Sequence, residues 1–192
     1  MFRLTERDQK ARLVEALGFD GIIVMPFNKD IAGKTAEEFV ADFLVDSINV
    51  SAVAVGADFH FGKARAGTPE FLMNAGKQHG FDVKICGMLD DGEEPVSSSR
   101  VRDALREGDV PAANALLGYH FFIAGEVSHG DKRGRELGYP TANIVLSPFE
   151  GLQHGIYAVK VLHKGKVYDG VASYGRRPMF DNGKALFETH IF

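Results

Sequence analysis

Residues 35–56 read TAEEFVADFLVDSINVSAVAVG, and this stretch decides the fold because a helical pattern runs directly into a strand pattern. Thr35 and Glu38 have the spacing of a capping box, which starts a helix. Apolar residues follow at helical spacing and are expected to face inward: Phe39, Val40, Phe43, Leu44 and Ile48. Residues 52–56 are apolar throughout, which predicts a short buried strand.

The same alternation of helix and strand occurs on both sides of this stretch. Before it, residues 21–25 read GIIVM, which predicts another buried strand. After it, a helix that begins at Thr68 and ends at Gly80 leads to a strand at residues 82–85. Alternating helices and apolar strands predict a parallel, doubly wound sheet over residues 1–88.

The sequence pattern changes after Gly118, the residue that closes the second of two short predicted helices. These helices cover roughly residues 99–106 and 109–117. Strand-like runs separated by turn residues then replace the helical periodicity, at residues 121–127, 155–162, 167–174 and 185–192. We therefore predict an α/β domain over residues 1–118 and an all-β domain, a small antiparallel barrel, over residues 119–192.

Composition limits the functional class. The net charge is −4, without long blocks of one sign, so the sequence favours neither nucleic acid nor a membrane surface as a partner. The one cysteine, Cys86, is predicted to be a small buried apolar residue. The first residues lack the features of a targeting signal, and no stretch is apolar enough to span a bilayer, which predicts a cytoplasmic protein.

Residues 129–143, HGDKRGRELGYPTAN, carry the densest signal for chemistry. Glycines such as Gly130 and Gly134 let a backbone approach a ligand closely, and Lys132 and Arg133 supply charge suited to phosphates. A solvated hairpin loop is the alternative interpretation. Thr141 and Asn143, two residues apart in an extended segment, project to the same side, and their oxygens suit a magnesium ion.

In their order, the Gly-Glu-Val strand at residues 125–127, the His-Gly-Asp loop and the run LGYPTAN resemble the opening of a riboflavin kinase domain. The resemblance implies that Thr141 and Asn143 hold magnesium and ATP, with the glycine loop at the phosphates. Glu188, in the run FETH, matches the catalytic carboxylate of that family, although an outward strand carboxylate is the alternative. Arg177 is expected at the flavin, and the family pattern differs at three nearby positions: Ser173, Arg176 and Met179.

Residues 96–102, VSSSRVR, place hydroxyl groups and free backbone N–H groups at a helix start, which suits a triphosphate. A plain serine cap is the alternative. The run resembles the signature of a flavin adenylyltransferase domain, which implies that Ser98, Ser99 and Arg102 bind ATP phosphates. Residues 55–62, VGADFHFG, resemble another stretch of that family and imply that Asp58 lies near the nucleotide and flavin. Taken alone, Asp58 would cap a turn.

Together these motifs resemble the bifunctional riboflavin kinase/FMN adenylyltransferase (FAD synthetase) family. The resemblance implies a nucleotidyltransferase-like, Rossmann-like domain followed by a Greek-key-type β-barrel. It also implies two activities that use ATP and Mg²⁺: phosphorylation of riboflavin to FMN and adenylylation of FMN to FAD. The same resemblance leaves the first domain incomplete at its N-terminus, without the histidine-containing stretch that transfers AMP, and the barrel incomplete at its C-terminus. We therefore expect no adenylyl transfer and an impaired kinase from this chain.

Two other functions remain open on the sequence alone. One is a non-catalytic flavin or nucleotide binder that uses the same loops, and the other is a β-barrel interaction module. The sequence does not indicate an oligomeric state, and small molecules are the expected partners.

Overall fold

The computed structural model describes residues 3–92, 94–128, 138–145, 151–176 and 185–192. Its helices are α1 Arg7–Ala16, α2 Lys29–Gly33, α3 Ala36–Glu38, α4 Pro69–His79, α5 Ser98–Glu107 and α6 Val110–Leu117, with a π-helical segment at Phe39–Ser47 and a 3-10 turn at Lys63–Arg65. Its strands are β1 Ala52–Gly56, β2 Asp82–Cys86, β3 Val127–Ser128, β4 Ala142–Val145, β5 Gly155–His163, β6 Lys166–Arg176 and β7 Ala185–Ile191. None of these helices has the length and apolar character that a membrane crossing requires.

The chain forms two compact units, one of residues 21–96 and one of residues 1–20 with 97–192. The first contains a parallel sheet and the second an antiparallel sheet, as the sequence predicted. Helices α5 and α6 belong to the second unit, because their buried residues share one core with that sheet. The structural division therefore falls before α5, whereas the domain boundary at residue 118 remains a prediction.

In the unit of residues 21–96, β1 pairs in parallel with β2, from Ala52 opposite Asp82 to Gly56 opposite Cys86. Helix α4 connects the two strands as predicted. The Thr68 hydroxyl accepts a hydrogen bond from the Phe71 amide at 3.2 Å, and Gly80 ends the helix with a φ of +83°. Such local signals need no distant partner, so they could be recognised in the sequence.

The helix predicted from Thr35 starts as expected and then changes its hydrogen bonding. The Thr35 hydroxyl accepts from the Glu38 amide at 3.2 Å, and the Glu38 carboxylate accepts from the Thr35 amide at 2.8 Å. Beyond α3 the backbone becomes π-helical, and the Ile48 amide donates to the Phe43 carbonyl at 3.1 Å. Val40 and Leu44 are nevertheless buried in the core of this unit, as their spacing predicted.

One strand prediction in this unit was wrong, and for a second strand only the predicted burial was wrong. Residues 21–25 form no strand, and Ile23 is 67% exposed, because no described strand lies beside them to supply hydrogen bonds. Strand β1 is not buried on both faces: Val53 and Val55 pack on the core while Ala54 is exposed. Cys86 is also exposed rather than buried, since it ends β2 beyond the core.

The other unit contains a five-stranded antiparallel sheet in the order β3-β4-β7-β6-β5. Strands β5 and β6 form a hairpin whose turn residues, Lys164 and Gly165, have φ values of +48° and +76°. One face of the sheet packs on α5 and α6 through a core that contains Val101, Leu105, Ala113, Leu152, Ala172, Tyr174 and Phe187. This core fixes the strands that carry the candidate site.

The strand predicted at residues 121–127 is largely wrong, because only Val127 belongs to a strand. The Phe121 amide donates to the Asn114 side chain at 2.6 Å, so this segment bonds to α6. Phe121 and Ile123 are half-buried against the same core as α6. Packing on a helix has therefore replaced the predicted strand pairing.

Candidate active site

Two sequence-predicted site residues lie side by side across the antiparallel sheet with Ser173, a position that departs from the family pattern. Glu188 on β7 is opposite Asn143 on β4 and, on its other side, opposite Ser173 on β6. Directly opposed residues of antiparallel strands have Cβ atoms about 5 Å apart and share a face of the sheet. We call Asn143, Glu188 and Ser173 the polar row.

The polar row lies on the face of the sheet opposite the core. Alternate residues of a strand point to opposite faces. On β6, Ala172 and Tyr174 are buried in the core, whereas Ser173 between them is exposed. On β7, Phe187 and Thr189 are buried on the core side, and Glu188 between them is half-buried. The core therefore holds both strands while their polar side chains face away from it.

Asn143 is the most buried member of the row, at 9% exposure. Its Oδ1 atom is buried and has no hydrogen-bond partner among the described residues. Its backbone carbonyl accepts a hydrogen bond from the Ser128 hydroxyl at 3.2 Å, so the strand itself is held in place. An unpaired buried oxygen costs free energy, and a hard cation or a donor group of a ligand would satisfy it. The side chain thus fits the predicted magnesium site.

Thr141 immediately precedes β4 and is exposed. It lies two residues before Asn143, and if the extended backbone of β4 continues back to Thr141, the two side chains share a face. Other residues predicted for this site lie outside the described residues: Gly130, Lys132, Arg133, Gly134, Arg177 and Met179.

The second set of predicted residues begins helix α5. Ser97 is the cap, because its hydroxyl accepts from the Arg100 amide at 3.3 Å. Ser98 and Ser99 therefore occupy the first turn, where both are exposed, and Arg102 is half-buried one turn later. The capping serine is thus the residue before the two that were predicted to bind phosphate. Backbone N–H groups of a first turn attract anions.

Asp58 follows β1 and is exposed. A Cβ atom on Gly56 would lie 2.9 Å from the Asp58 carboxylate, so glycine at this position leaves room for the carboxylate. The Ala57 amide donates to the Cys86 carbonyl at 2.9 Å and ties this turn to β2. Phe61 is buried and Phe59 half-buried against the same core, so both are packing residues. Asp58 belongs to the unit of residues 21–96, whereas α5 belongs to the other unit.

Comparisons with known families agree with both sets of motifs. A family model described as FAD synthetase matches residues 1–100, and one described as riboflavin kinase matches residues 117–192. The bifunctional riboflavin kinase/FMN adenylyltransferase of Escherichia coli is 38% identical to this chain over 190 residues. The chain belongs to the FAD synthetase family, and its second part matches the riboflavin kinase family model.

The chain spans about three fifths of the length of the curated relatives that it matches. The match covers 98% of this chain and 61% of the Escherichia coli bifunctional riboflavin kinase/FMN adenylyltransferase. The Pseudomonas fluorescens protein of the same name is 41% identical over 175 residues, which is 91% of this chain and 56% of that protein. A crystal structure described as a macrolide-efflux protein from Streptococcus pneumoniae superimposes with a TM-score of 0.85 and 32% identity, and covers 98% of this chain and 61% of that one.

The structure brings some of the residues predicted from the riboflavin kinase/FMN adenylyltransferase resemblance together. Asn143 and Glu188 are direct cross-strand neighbours, with Thr141 two residues away. Sequence reasoning missed His190 and Ser128, which contact the segment that contains Thr141 and Asn143. A signal for His190 was present, since it lies two residues after Glu188 and so on the same face of a strand.

Proposed function

We propose that the chain is part of an enzyme of flavin-cofactor synthesis that phosphorylates riboflavin to FMN with ATP and adenylylates FMN to FAD. The proposal rests on family membership and on one structural observation. Asn143, whose Oδ1 atom is buried without a described partner, lies opposite Glu188, a carboxylate on the open face of the sheet. A metal or phosphate ligand and a proton acceptor on adjacent strands are the two groups that a phosphoryl transfer needs.

In the proposed kinase reaction, Glu188 orients the primary hydroxyl of riboflavin and accepts its proton. The hydroxyl oxygen bonds to the γ-phosphorus of ATP, the bond from that phosphorus to the bridging oxygen breaks, and ADP leaves. Thr141 and Asn143 would hold magnesium and, through it, the ATP phosphates. Magnesium supplies neutralisation of the charge on the phosphate oxygens. The assignment of magnesium to Thr141 and Asn143 is supported by their side-chain oxygens, because magnesium prefers oxygen ligands.

The glycine loop and Arg177 complete the proposal from the family resemblance. Gly130, Lys132, Arg133 and Gly134 would contact the ATP phosphates, and Arg177 would lie at the flavin. We assign this kinase site to a domain over residues 119–192 and propose that its sheet belongs to a Greek-key-type barrel.

For adenylylation we propose a domain over residues 1–118 with a doubly wound, nucleotidyltransferase-like sheet in the cytoplasmic enzyme. Ser98 and Ser99 would bind ATP phosphates with their hydroxyl and backbone N–H groups, and Arg102 would add positive charge. Asp58 would lie beside the nucleotide and flavin.

The deciding experiment incubates the chain with riboflavin, ATP and Mg²⁺ and separates the flavins by chromatography. Magnesium-dependent formation of FMN with matching release of ADP is the expected result. Flavin binding without ATP consumption would instead indicate a non-catalytic binder. If the chain shows neither flavin binding nor turnover, the result would favour an interaction module and contradict the proposal.

A further inference from the structure

The side chain of His190 is held by three groups at the end of the polar row. Its Nδ1 atom lies 2.8 Å from the carbonyl oxygen of Pro140. A carbonyl only accepts hydrogen bonds, so Nδ1 carries the proton in this contact. The imidazole also meets the ring of Tyr139 edge-on, with centroids 5.5 Å apart, and the ring of Phe192 at 6.0 Å. One hydrogen bond and two aromatic contacts therefore fix the ring.

The backbone of His190 is fixed as well. Val171 on β6 is opposite His190, and the neighbouring pair is Gly170 with Ile191. A Cβ atom on Gly170 would overlap the His190 carbonyl oxygen, so only glycine allows the two strands to approach this closely. His190 thus extends from a rigid position in the sheet.

Pro140 and Thr141, the segment that His190 contacts, lie outside the described strand pairing. Pairing between β4 and β7 starts at Ala142 opposite Thr189, so Thr141 and Pro140 lie just outside the ladder. Pro140 has no N–H group, and its carbonyl is the one backbone group of that residue that can form a hydrogen bond. If the same register is extended by one residue, Thr141 lies opposite His190. The histidine therefore holds the residue directly before the predicted metal ligand.

We propose that His190 is a positioning residue of the kinase site, whose Nδ1–H group holds the Pro140 carbonyl and thereby fixes Thr141 beside Asn143. This proposal rests on the proposed kinase function. His190 acts through the backbone of Pro140 and needs no contact with either substrate. Its consequence is a selective one: loss of the hydrogen bond weakens the use of magnesium and ATP and leaves riboflavin binding intact.

The test compares two substitutions of His190 that separate the hydrogen bond from the ring. His190→Asn keeps a donor near the position of Nδ1 without the ring, whereas His190→Phe keeps an aromatic ring without the donor. His163→Asn is the matched control, because His163 is an exposed histidine at the end of β5 in the same sheet. Kinase assays would give kcat and the KM values for MgATP and riboflavin, and thermal unfolding would report folding.

We expect His190→Phe to raise the KM for MgATP roughly 3- to 10-fold, the effect of one lost hydrogen bond, with the KM for riboflavin unchanged. His190→Asn should stay within about twofold of the unsubstituted chain, because it retains a donor. A normal KM for MgATP in His190→Phe, or equal impairment of both variants, would overturn the assignment.

A second measurement does not depend on activity. The ¹⁵N–¹H correlation spectrum of the imidazole should show a proton on Nδ1 of His190, and a ring protonated only on Nε2 would overturn the proposal. If the unsubstituted chain makes no FMN but shows the Nδ1 proton, the kinase function fails while the contact with Pro140 stands. The two proposals can therefore fail separately.

Discussion

The polar row of the antiparallel sheet and the start of helix α5 both carry residues predicted to bind ATP, yet they are built differently. Asn143 and Glu188 lie on adjacent strands of one unit, over a shared core. Ser98 and Ser99 are exposed in the first turn of a helix, and Asp58, predicted for the same reaction, belongs to the other unit. Side chains on paired strands are placed by the sheet before any ligand binds, whereas a helix start offers backbone groups to any anion.

This difference determines how sensitive each region should be to substitution. A residue in the polar row has few accessible conformations, so replacing it should change one step of the kinase reaction. A residue at the start of α5 contributes to helix stability as well as to ligand binding, so its two roles have to be separated. The following substitutions test that contrast.

The largest effect is expected for Glu188→Gln, which keeps the shape of the side chain but removes the proton acceptor. Kinase turnover should fall about 10²-fold or more, while riboflavin and ATP binding stay unchanged. Steady-state kinetics and binding titrations would measure both. Asp169→Asn is the matched control, because Asp169 is an exposed carboxylate of the same sheet that pairs with Lys160 at 2.7 Å. Unchanged turnover in Glu188→Gln would remove Glu188 from the mechanism.

Gly170→Ala tests the rigidity of the sheet beneath the polar row. The added methyl group would meet the His190 carbonyl, and we expect a loss of about 1–3 kcal/mol in the free energy of unfolding. Gly175→Ala is the control on the same strand, because a Cβ atom there meets nothing within 4 Å. Denaturant titration gives the free energies, and hydrogen exchange should locate the lost protection in β6 and β7. Equal stability of the two variants would contradict the close approach at Gly170.

Asn143→Ala should raise the magnesium requirement of the kinase about tenfold, the effect of one lost ligand contact. The free energy of unfolding without ligand should change little, because no described residue bonds to Oδ1 of Asn143. Asn114→Ala should have the opposite effect. Oδ1 of Asn114 accepts a hydrogen bond from the Phe121 amide at 2.6 Å, so its loss should lower the free energy of unfolding and leave the magnesium requirement unchanged. Magnesium titrations and unfolding curves for both variants check the pair. A loss of stability in Asn143→Ala with an unchanged magnesium requirement would make Asn143 a purely structural residue.

The smallest effect is expected at α5. Ser97→Ala removes the cap and should lower the free energy of unfolding by about 1 kcal/mol without changing kinase turnover. Ser99→Ala, within the first turn, should leave stability nearly unchanged and weaken only nucleotide binding to this region. Thermal unfolding and ATP titration separate the two roles. A stability loss in Ser99→Ala as large as that in Ser97→Ala would mean that the cap has been placed on the wrong serine.

Local features of the fold could be predicted from the sequence, and pairing between distant segments could not. The capping box of Thr35 and Glu38 depends on four consecutive residues and was confirmed. Residues 21–25 have the composition of a strand, but a strand also needs a neighbour, which composition does not specify. The same limit applies to the site. Motifs identified Asn143 and Glu188 individually, whereas their direct opposition depends on the register of two strands 45 positions apart.

The exposed thiol of Cys86 allows the parallel sheet to be labelled with a fluorescent dye. It is the one cysteine in the sequence, and its carbonyl bonds to the backbone next to Asp58. A maleimide dye would therefore attach at a single, known position without any engineering of the chain. Its fluorescence on addition of ATP or FMN would test the proposed binding of a nucleotide or flavin near Asp58, independently of whether a product is formed.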